Sequence, residues 1–151
     1  MSKIIVLDAG PLGMVANPKA RSEESLECQE WLKSIMGLGY TIAIPEVVDY
    51  EIRRELIRAN RLASIRQLDA INSMALYLPI TTVAMRKAAE LWAIARQAGQ
   101  PTADPQALDG DVILSAQVLT SFDSSLNAII ATANVSHISR YAQAQHWKTI
   151  T

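Results

Sequence analysis

The residues Ile4-Ile5-Val6-Leu7-Asp8-Ala9-Gly10-Pro11 place a carboxylate directly after a short, wholly apolar run. Such runs are typical of strands that are buried on both faces of a parallel sheet. The Ala-Gly-Pro that follows predicts that the chain turns after Asp8. In open α/β sheets ligands bind beyond the carboxyl ends of the strands, so an acid in this place is a strong site candidate. Asp8 is therefore the first candidate functional residue.

Strand-like and helix-like segments alternate along the rest of the chain. Besides 3–8, the pattern predicts strands at 41–44, 75–80, 127–131 and 147–150. It predicts helices over 22–38, from Pro45 onward, from after Asn60 to about Met74, over 83–98 and 109–119, with a short helical turn near 136–141. Residues 100–107, with two prolines, are predicted to form a loop. Alternation of this kind predicts a parallel sheet flanked by helices.

Length and composition indicate the class of protein. A chain of 151 residues fits a single domain, here 1–151, with a full core of its own. Half of the residues are hydrophobic, yet no apolar run approaches the roughly 20 residues that cross a bilayer, and the start does not resemble a secretory signal. The single cysteine, Cys28, is predicted to be a buried core residue. We expect a cytoplasmic protein whose excess apolar surface contacts a partner protein or a second copy in a homodimer.

The formal net charge is −1, but positive charge is concentrated in one stretch. Between positions 53 and 66 there is one acid, Glu55, against five arginines: Arg53, Arg54, Arg58, Arg61 and Arg66. A phosphate backbone could bind in such a positive field. The same run is also typical of a solvated helix face on which arginines pair with glutamates one turn away.

Two further segments carry acids in apolar surroundings. On the helix that begins at Pro45, Glu51 and Glu55 both border the apolar stripe, so either carboxylate could turn toward a cleft. Asp109-Gly110-Asp111 precedes a mostly apolar helix, 112–116. Helix capping accounts for each acid alone, but it does not explain why two acids flank a glycine after a long loop.

Taken in order, four segments resemble the PIN-domain nucleases, and in particular the VapC-type toxins. They are Asp8 after the first strand, P-E-V-V-D-Y-E-I-R-R-E-L at 45–56, L-D-G-D-V-I-L-S-A at 108–116, and I-A-T-A-N-V-S-H-I-S-R-Y at 130–141. The resemblance implies a three-layer α/β/α sandwich with a mainly parallel central sheet. It also implies catalytic positions at Asp8, Glu51, Asp111 and Asn134, with Asp109 as an additional acid beside the third.

The residue types are consistent with metal chemistry. Carboxylates brought together repel one another unless a cation neutralises them, and oxygen ligands select hard ions such as Mg²⁺ or Mn²⁺. We therefore expect Asp8, Glu51, Asp111 and Asp109 to be metal ligands, for one ion or two. His137 is expected outside this core site, as a capping or surface residue.

The resemblance implies an enzyme that cleaves RNA and, for a VapC-type toxin, an antitoxin that inhibits it. Arg54, Arg58 and Arg61 are the candidates for holding the RNA backbone. Two alternatives remain open at this point: a housekeeping RNA-processing nuclease without an antitoxin, and a binding module of the same fold whose acids no longer support turnover.

Overall fold

The computed structural model describes residues 3–99, 105–123 and 126–151. Its strands are β1 (Ile4–Leu7), β2 (Thr41–Pro45), β3 (Leu76–Leu78), β4 (Ala128–Thr132) and β5 (Ala144–His146). Its helices are α1 (Ala9–Val15), α2 (Glu23–Gly37), α3 (Glu46–Arg58), α4 (Leu62–Met74), α5 (Thr82–Gln97), α6 (Pro105–Ser121) and α7 (Val135–Ile138). No helix in the described ranges is long and apolar enough to cross a membrane.

The five strands form one sheet in the order β3-β2-β1-β4-β5, and every neighbouring pair is parallel. Parallel neighbours need crossover connections, and here helices supply them, which gives the three-layer α/β/α architecture. The predicted fold class is confirmed. Strand β1 is central, with Ile4 paired to Thr41 of β2 on one side and to Ala128 of β4 on the other.

This strand order creates a switch point in the middle of the sheet. From β1 the chain adds β2 and β3 on one side, then crosses back to add β4 and β5 on the other. At such a point the connections from adjacent strands leave in opposite directions and open a crevice beyond the carboxyl ends of those strands. Here the crevice lies beyond β1 and β4, where Asp8 and Asn134 follow their strands.

The central strands are buried on both faces, as their continuous apolar sequences predict. Ile5, Val6 and Leu7 of β1 have no exposed surface, and neither does Ile130 of β4. Cys28 of α2 is also fully buried, which confirms its prediction as a core residue. A rigid, dry sheet therefore supports the crevice from below.

The start of the chain and its end differ from the sequence prediction. The sequence predicted a turn after Asp8, but the structure has a helix there, α1. The Ala-Gly-Pro segment favours a turn and gave no indication of this helix. The strand predicted at 147–150 is wrong, because β5 is Ala144–His146 and Trp147–Thr149 form a single turn of 3₁₀ helix. Trp147 is buried, and a buried apolar residue in a short segment does not distinguish a strand from a turn.

Helix α6 begins earlier than its sequence suggests. It starts at Pro105 instead of Asp109, so 105–107 are helical and the predicted loop is shorter at that end, while 100–104 lie outside the described residues. Proline suits the first position of a helix because no N–H is needed there. Asp109 therefore lies within the helix and is not its cap. Helix α7 is similarly shifted, to Val135–Ile138 from the predicted 136–141.

Gln117 of α6 bonds to one backbone group at the start of α3 and to another at the end of β3. Its side-chain oxygen accepts a hydrogen bond from the Val47 N–H at 3.2 Å, and its side-chain nitrogen donates to the Leu78 carbonyl at 2.7 Å. Residue Pro45, at the N-cap of α3, makes no side-chain cap hydrogen bond. Gln117 thus satisfies one of the free N–H groups at the start of α3, the helix that carries Glu51.

We predict that Gln117→Leu lowers the free energy of unfolding by about 2 to 4 kcal/mol, because it leaves a buried donor and a buried acceptor without partners. Urea unfolding followed by circular dichroism measures the change. Ser121→Ala, at the exposed end of the same helix, is the control and should change stability by less than about 0.5 kcal/mol. Equal stability of Gln117→Leu and the control would contradict this role.

Candidate active site

Three carboxylates from three different elements share the crevice at the switch point: Asp8 after β1, Glu51 of α3 and Asp111 of α6. We call them the acid cluster. Burial raises the pKa of the Glu51 carboxyl, the charges of Asp8 and Asp111 raise it further, and Arg54 partly offsets this rise. Burial, followed by the charge of Asp8, raises the pKa of Asp111 to about 6, against the opposing effect of Arg140. Glu51 therefore lies in the electrostatic field of Asp8 and Asp111, and Asp111 lies in that of Asp8.

Asp8 is held by hydrogen bonds to both of its carboxylate oxygens. Oδ1 accepts the backbone N–H of Ala9 at 2.7 Å, and Oδ2 accepts the hydroxyl of Thr132 at 2.6 Å. The first bond caps α1, and the second joins the end of β1 to the end of β4. The strand-end acid recognised in the sequence is thus fixed in place by the sheet itself.

Thr132 is a site residue that the sequence analysis did not identify. It is fully buried, donates its hydroxyl proton to Asp8, and accepts the backbone N–H of Asn134 at 2.9 Å. Asn134 itself is exposed, and its side chain does not cap α7. The backbone N–H of Asn134 is therefore linked to Asp8 through the hydroxyl of Thr132. A hydroxyl residue that ends an apolar strand beside a strand-end acid was the available signal.

The structure separates the two candidate acids of α3. Glu51 is half-buried and lies in the field of Asp8 and Asp111. Glu55 is exposed and forms an ion pair with Arg58 at 2.9 Å. The carboxylate that turns toward the crevice is therefore Glu51, whereas Glu55 belongs to the solvated face of the helix.

Asp109 lies close to the acid cluster in sequence but takes a different direction. It is exposed, and positions 109 and 111 of one helix point roughly 200° apart. The pKa shifts of Glu51 and Asp111 have their causes in other residues. The role of Asp109 as a metal ligand stays a prediction that this placement does not favour.

Two cationic or titratable side chains from the α7 region face Asp111. His137 Nδ1 lies 4.0 Å from Asp111 Oδ2, and the charge of Arg140 lowers the Asp111 pKa. His137 is half-buried, and it lies against an acid of the cluster, closer to the site than the surface or capping position expected for it. Arg140 was not identified from the sequence, because the spacing to Asp111 depends on how α6 and α7 pack.

The five arginines of 53–66 do not form one positive surface. Arg53 donates to both Asp49 and Asp69, which places it in an internal ion network. Arg58 is paired with Glu55. Arg54 lies over the ring of Tyr50, 5.0 Å from its centre, and lowers the pKa of Glu51, so it is the arginine of this run beside the acid cluster. Arg61 and Arg66 are exposed on or before α4.

A cleft of about 300 Å³ adjoins the acid cluster on the α3 side. Its lining includes Glu51, Gly110 and Ile113, with Tyr50 and Arg54 at one edge and Asp109 at another. Glu51 is thus reached from solvent through a space whose lining also includes the cationic side chain of Arg54.

Within the described ranges, no three His, Cys, Asp or Glu side chains already stand close enough together to hold a metal ion. The chemistry of the acid cluster nevertheless fits a hard divalent cation. Its donors are carboxylate oxygens, and two of its three acids carry raised pKa values that a nearby cation would lower.

No family model and no curated protein matches this sequence, but solved structures match over nearly the whole chain. VapBC2 from Rickettsia felis, bound to a promoter DNA fragment, has a TM-score of 0.68 at 17% identity over 95% of this chain and 98% of that one. VapBC-1 from nontypeable Haemophilus influenzae has a TM-score of 0.64 at 15% identity, over 97% and 99% of the two chains. DNA-bound VapBC from Salmonella typhimurium has 0.63 at 18% identity, over the same shares.

The chain has the PIN-domain fold of VapC-type toxins. This confirms the fold that the four sequence segments predicted. Identities of 15 to 18% establish the fold alone, since one fold can carry several functions. Within the PIN fold, the acids at 8, 51 and 111 come together at the switch point of the sheet, where an α/β protein of this topology binds its ligands.

The raised pKa of Asp111 predicts a pH-dependent stability of the metal-free protein. The folded-state pKa of about 6 lies above the usual aspartate value of 3.8, so the folded state binds the proton more tightly. Stability should therefore fall as pH rises from about 4 to 6 and stay low above that range. Asp111→Asn should be more stable than wild type at pH 7.5, by up to about 3 kcal/mol at 1.36 kcal/mol per pKa unit, and should lose this advantage at pH 4.

Thermal unfolding in the presence of a chelator measures this pH dependence. Asp109→Asn, two residues away and exposed, is the matched control and should show little change at either pH. An Asp111→Asn advantage that is equal at pH 4 and pH 7.5 would show that the gain does not come from removing a destabilising charge.

Proposed function

We propose that this protein is a metal-dependent endoribonuclease that acts as the toxin of a toxin-antitoxin pair. The observation that supports the chemistry is the acid cluster: three carboxylates share a half-buried crevice, in which the charges of Asp8 and Asp111 raise the pKa of Glu51 and the charge of Asp8 raises the pKa of Asp111. Carboxylates that are held together against their mutual repulsion are typical of a place built for a cation. The structural similarity to the VapBC complexes supports the toxin assignment.

Asp8, Glu51 and Asp111 would hold Mg²⁺ or Mn²⁺, the hard ions that carboxylate oxygens select. When bound, the ion polarises the scissile phosphate and lowers the pKa of a water that attacks it. The Asp8 carboxylate is held in one orientation, because Ala9 and Thr132 each donate a hydrogen bond to one of its two oxygens. The second lone pair of each oxygen would bind the ion. Asn134 would take part through its exposed side chain or through its backbone link to Thr132.

Arginine and histidine side chains on two sides of the acid cluster would bind the RNA backbone. Arg54, over Tyr50, lies at the edge of the cleft beside Glu51, and Arg140 and His137 lie on the Asp111 side. A phosphate bound between them would be positioned over the carboxylates. We propose that Arg54 makes the principal contact from the arginine run. Arg61 would extend that contact along the chain, and Arg58 would do so only by leaving Glu55.

We predict that Asp8→Asn and Glu51→Gln each lower RNA cleavage by at least about 10²-fold, which corresponds to roughly 2.7 kcal/mol of lost transition-state stabilisation. Glu55→Gln, one helical turn from Glu51 on α3 and exposed, is the matched control and should cleave at the wild-type rate. The assay uses total cellular RNA with limiting Mn²⁺, with and without a chelator. Cleavage that survives the chelator, or a greater loss in Glu55→Gln than in Glu51→Gln, would contradict the assignment.

An apolar groove between α2 and α4 supports the proposal of an antitoxin partner. It is lined by Leu32, Met36, Ile71 and Met74, among others. Met36 of α2 and Met74 of α4 are 40% and 66% exposed, so apolar side chains of both helices stay uncovered in the isolated chain. We propose that an apolar segment of the antitoxin covers this groove, which suits the insertion of an amphipathic helix.

Growth assays test the toxin assignment and the groove together. Expression of the chain alone should arrest growth of its host, and the protein encoded by the adjoining reading frame should restore it. Met36→Glu and Met74→Glu should keep the arrest but weaken the rescue, because a charge in an apolar interface is costly. Val83→Glu on α5, 66% exposed, is the control. Normal growth with a chain that cleaves RNA in vitro would favour a housekeeping nuclease instead.

A further inference from the structure

Gly110 lies inside α6, between the two acids Asp109 and Asp111, where a glycine is unexpected. It is the sixth residue of a 17-residue helix, and glycine is the poorest helix former after proline. The glycines with left-handed backbone conformations are Gly39 and Gly99, so the backbone angles of Gly110 do not require glycine. The position is also too far from Pro105 to serve as a cap.

The space that a side chain would need at position 110 is filled by Glu51. A Cβ atom built on Gly110 would lie 3.1 Å from Glu51 Oε1 and 3.5 Å from both Glu51 Cδ and Oε2. All three atoms of the carboxylate group therefore lie against the α6 backbone at this residue. The first distance is shorter than ordinary van der Waals contact, so any side chain at 110 would push the Glu51 carboxylate away.

The next residue of α3 is confined in a similar way on its other side. A Cβ atom on Gly13 of α1 would lie 3.3 Å from Ile52 Cδ1. Consecutive residues of α3 thus pack over two glycines, one on α6 and one on α1. Helix α3 cannot move away from a side chain at position 110 without disturbing its contact with α1. The Glu51 side chain would therefore have to shift instead.

We propose that Gly110 is a positioning residue, whose missing side chain allows the Glu51 carboxylate to reach Asp8 and Asp111 and complete the acid cluster. The proposal rests on the metal-dependent function proposed above. It explains why a glycine separates Asp109 from Asp111: an alanine would favour the helix, but its Cβ would lie 3.1 Å from Glu51 Oε1 and would shift the Glu51 carboxylate out of its position by a few tenths of an ångström.

The test compares Gly110→Ala with Gly37→Ala in the full-length protein. Gly37 is also helical, at the end of α2, and its Cβ would meet nothing within 4 Å, so it reports the helix-forming advantage of alanine without a clash. Gly110→Ala should lower Mn²⁺ affinity, measured by titration calorimetry, and RNA cleavage by at least about 10-fold. Gly37→Ala should leave both unchanged.

A double-mutant cycle shows whether the effect passes through Glu51. In a Glu51→Ala background the carboxylate is gone, so Gly110→Ala should cause no further loss of Mn²⁺ affinity. Thermal unfolding of the metal-free proteins gives a second readout: Gly110→Ala should raise the melting temperature more in the Glu51→Ala background than in wild type. Thermal stability depends on the contact itself and does not require metal or RNA.

The outcomes separate this inference from the proposed function. Unchanged Mn²⁺ affinity in Gly110→Ala, an equal loss in the Glu51→Ala background, or no coupling in thermal stability would overturn the positioning role. If wild type neither binds Mn²⁺ nor cleaves RNA while the stability coupling is present, the contact is correct and the nuclease function is wrong.

Discussion

The two hydrogen bonds to the carboxylate of Asp8 set the geometry on which the rest of the site depends. One comes from the start of α1 and the other from Thr132 at the end of β4. They join the central strand of the sheet, the helix that leaves it and the neighbouring strand across the switch point. Because both strands are buried and rigid, the position of Asp8 follows from the sheet and not from a loop. Glu51 and Asp111 then approach it from the helix layer.

Around the fixed carboxylate of Asp8 the protein brings together like charges that repel one another. Burial and the charge of Asp8 raise the pKa values of both Glu51 and Asp111, and the charge of Asp111 raises that of Glu51 further. Arg54 and Arg140 offset part of the effect without forming the site's centre. The acids of the cluster thus lower the stability of the fold at this site, because like charges lie together there. Such places are where functional sites are expected in an otherwise consistent fold.

Elsewhere the same types of residue are used for structure. Arg53 is tied to Asp49 and Asp69, and Asn72 donates to the same Asp49 carboxylate at 2.7 Å. Asp49 is buried with these partners, which makes it part of the contact between α3 and α4 and more than a first-turn acid. A run of arginines in the sequence is therefore divided, in space, between an internal network, surface ion pairs and one edge of the cleft.

The sequence by itself determined the sheet and the location of the candidate site. Apolar runs such as Ile4–Leu7 indicate strands that are buried on both faces, and such strands are typical of a parallel sheet covered by helices. An acid at the end of such a run must lie at the sheet edge where ligands bind, so Asp8 was recognisable alone. The spacing of Glu51 and Asp111 was recognisable through the resemblance of their segments to the PIN domains.

Only the tertiary structure decided which neighbours complete the site. Glu51 and Glu55 have the same periodicity, and what separates them is the approach of α6 to one and of solvent to the other. Thr132 meets Asp8 from 124 positions away, and Gly110 meets Glu51 across two helices. The end of the chain, where Trp147 is buried in a turn and not in a strand, was mistaken for the same reason. Sequence patterns report how deeply a residue is buried, whereas the partner it is buried against depends on how distant elements pack.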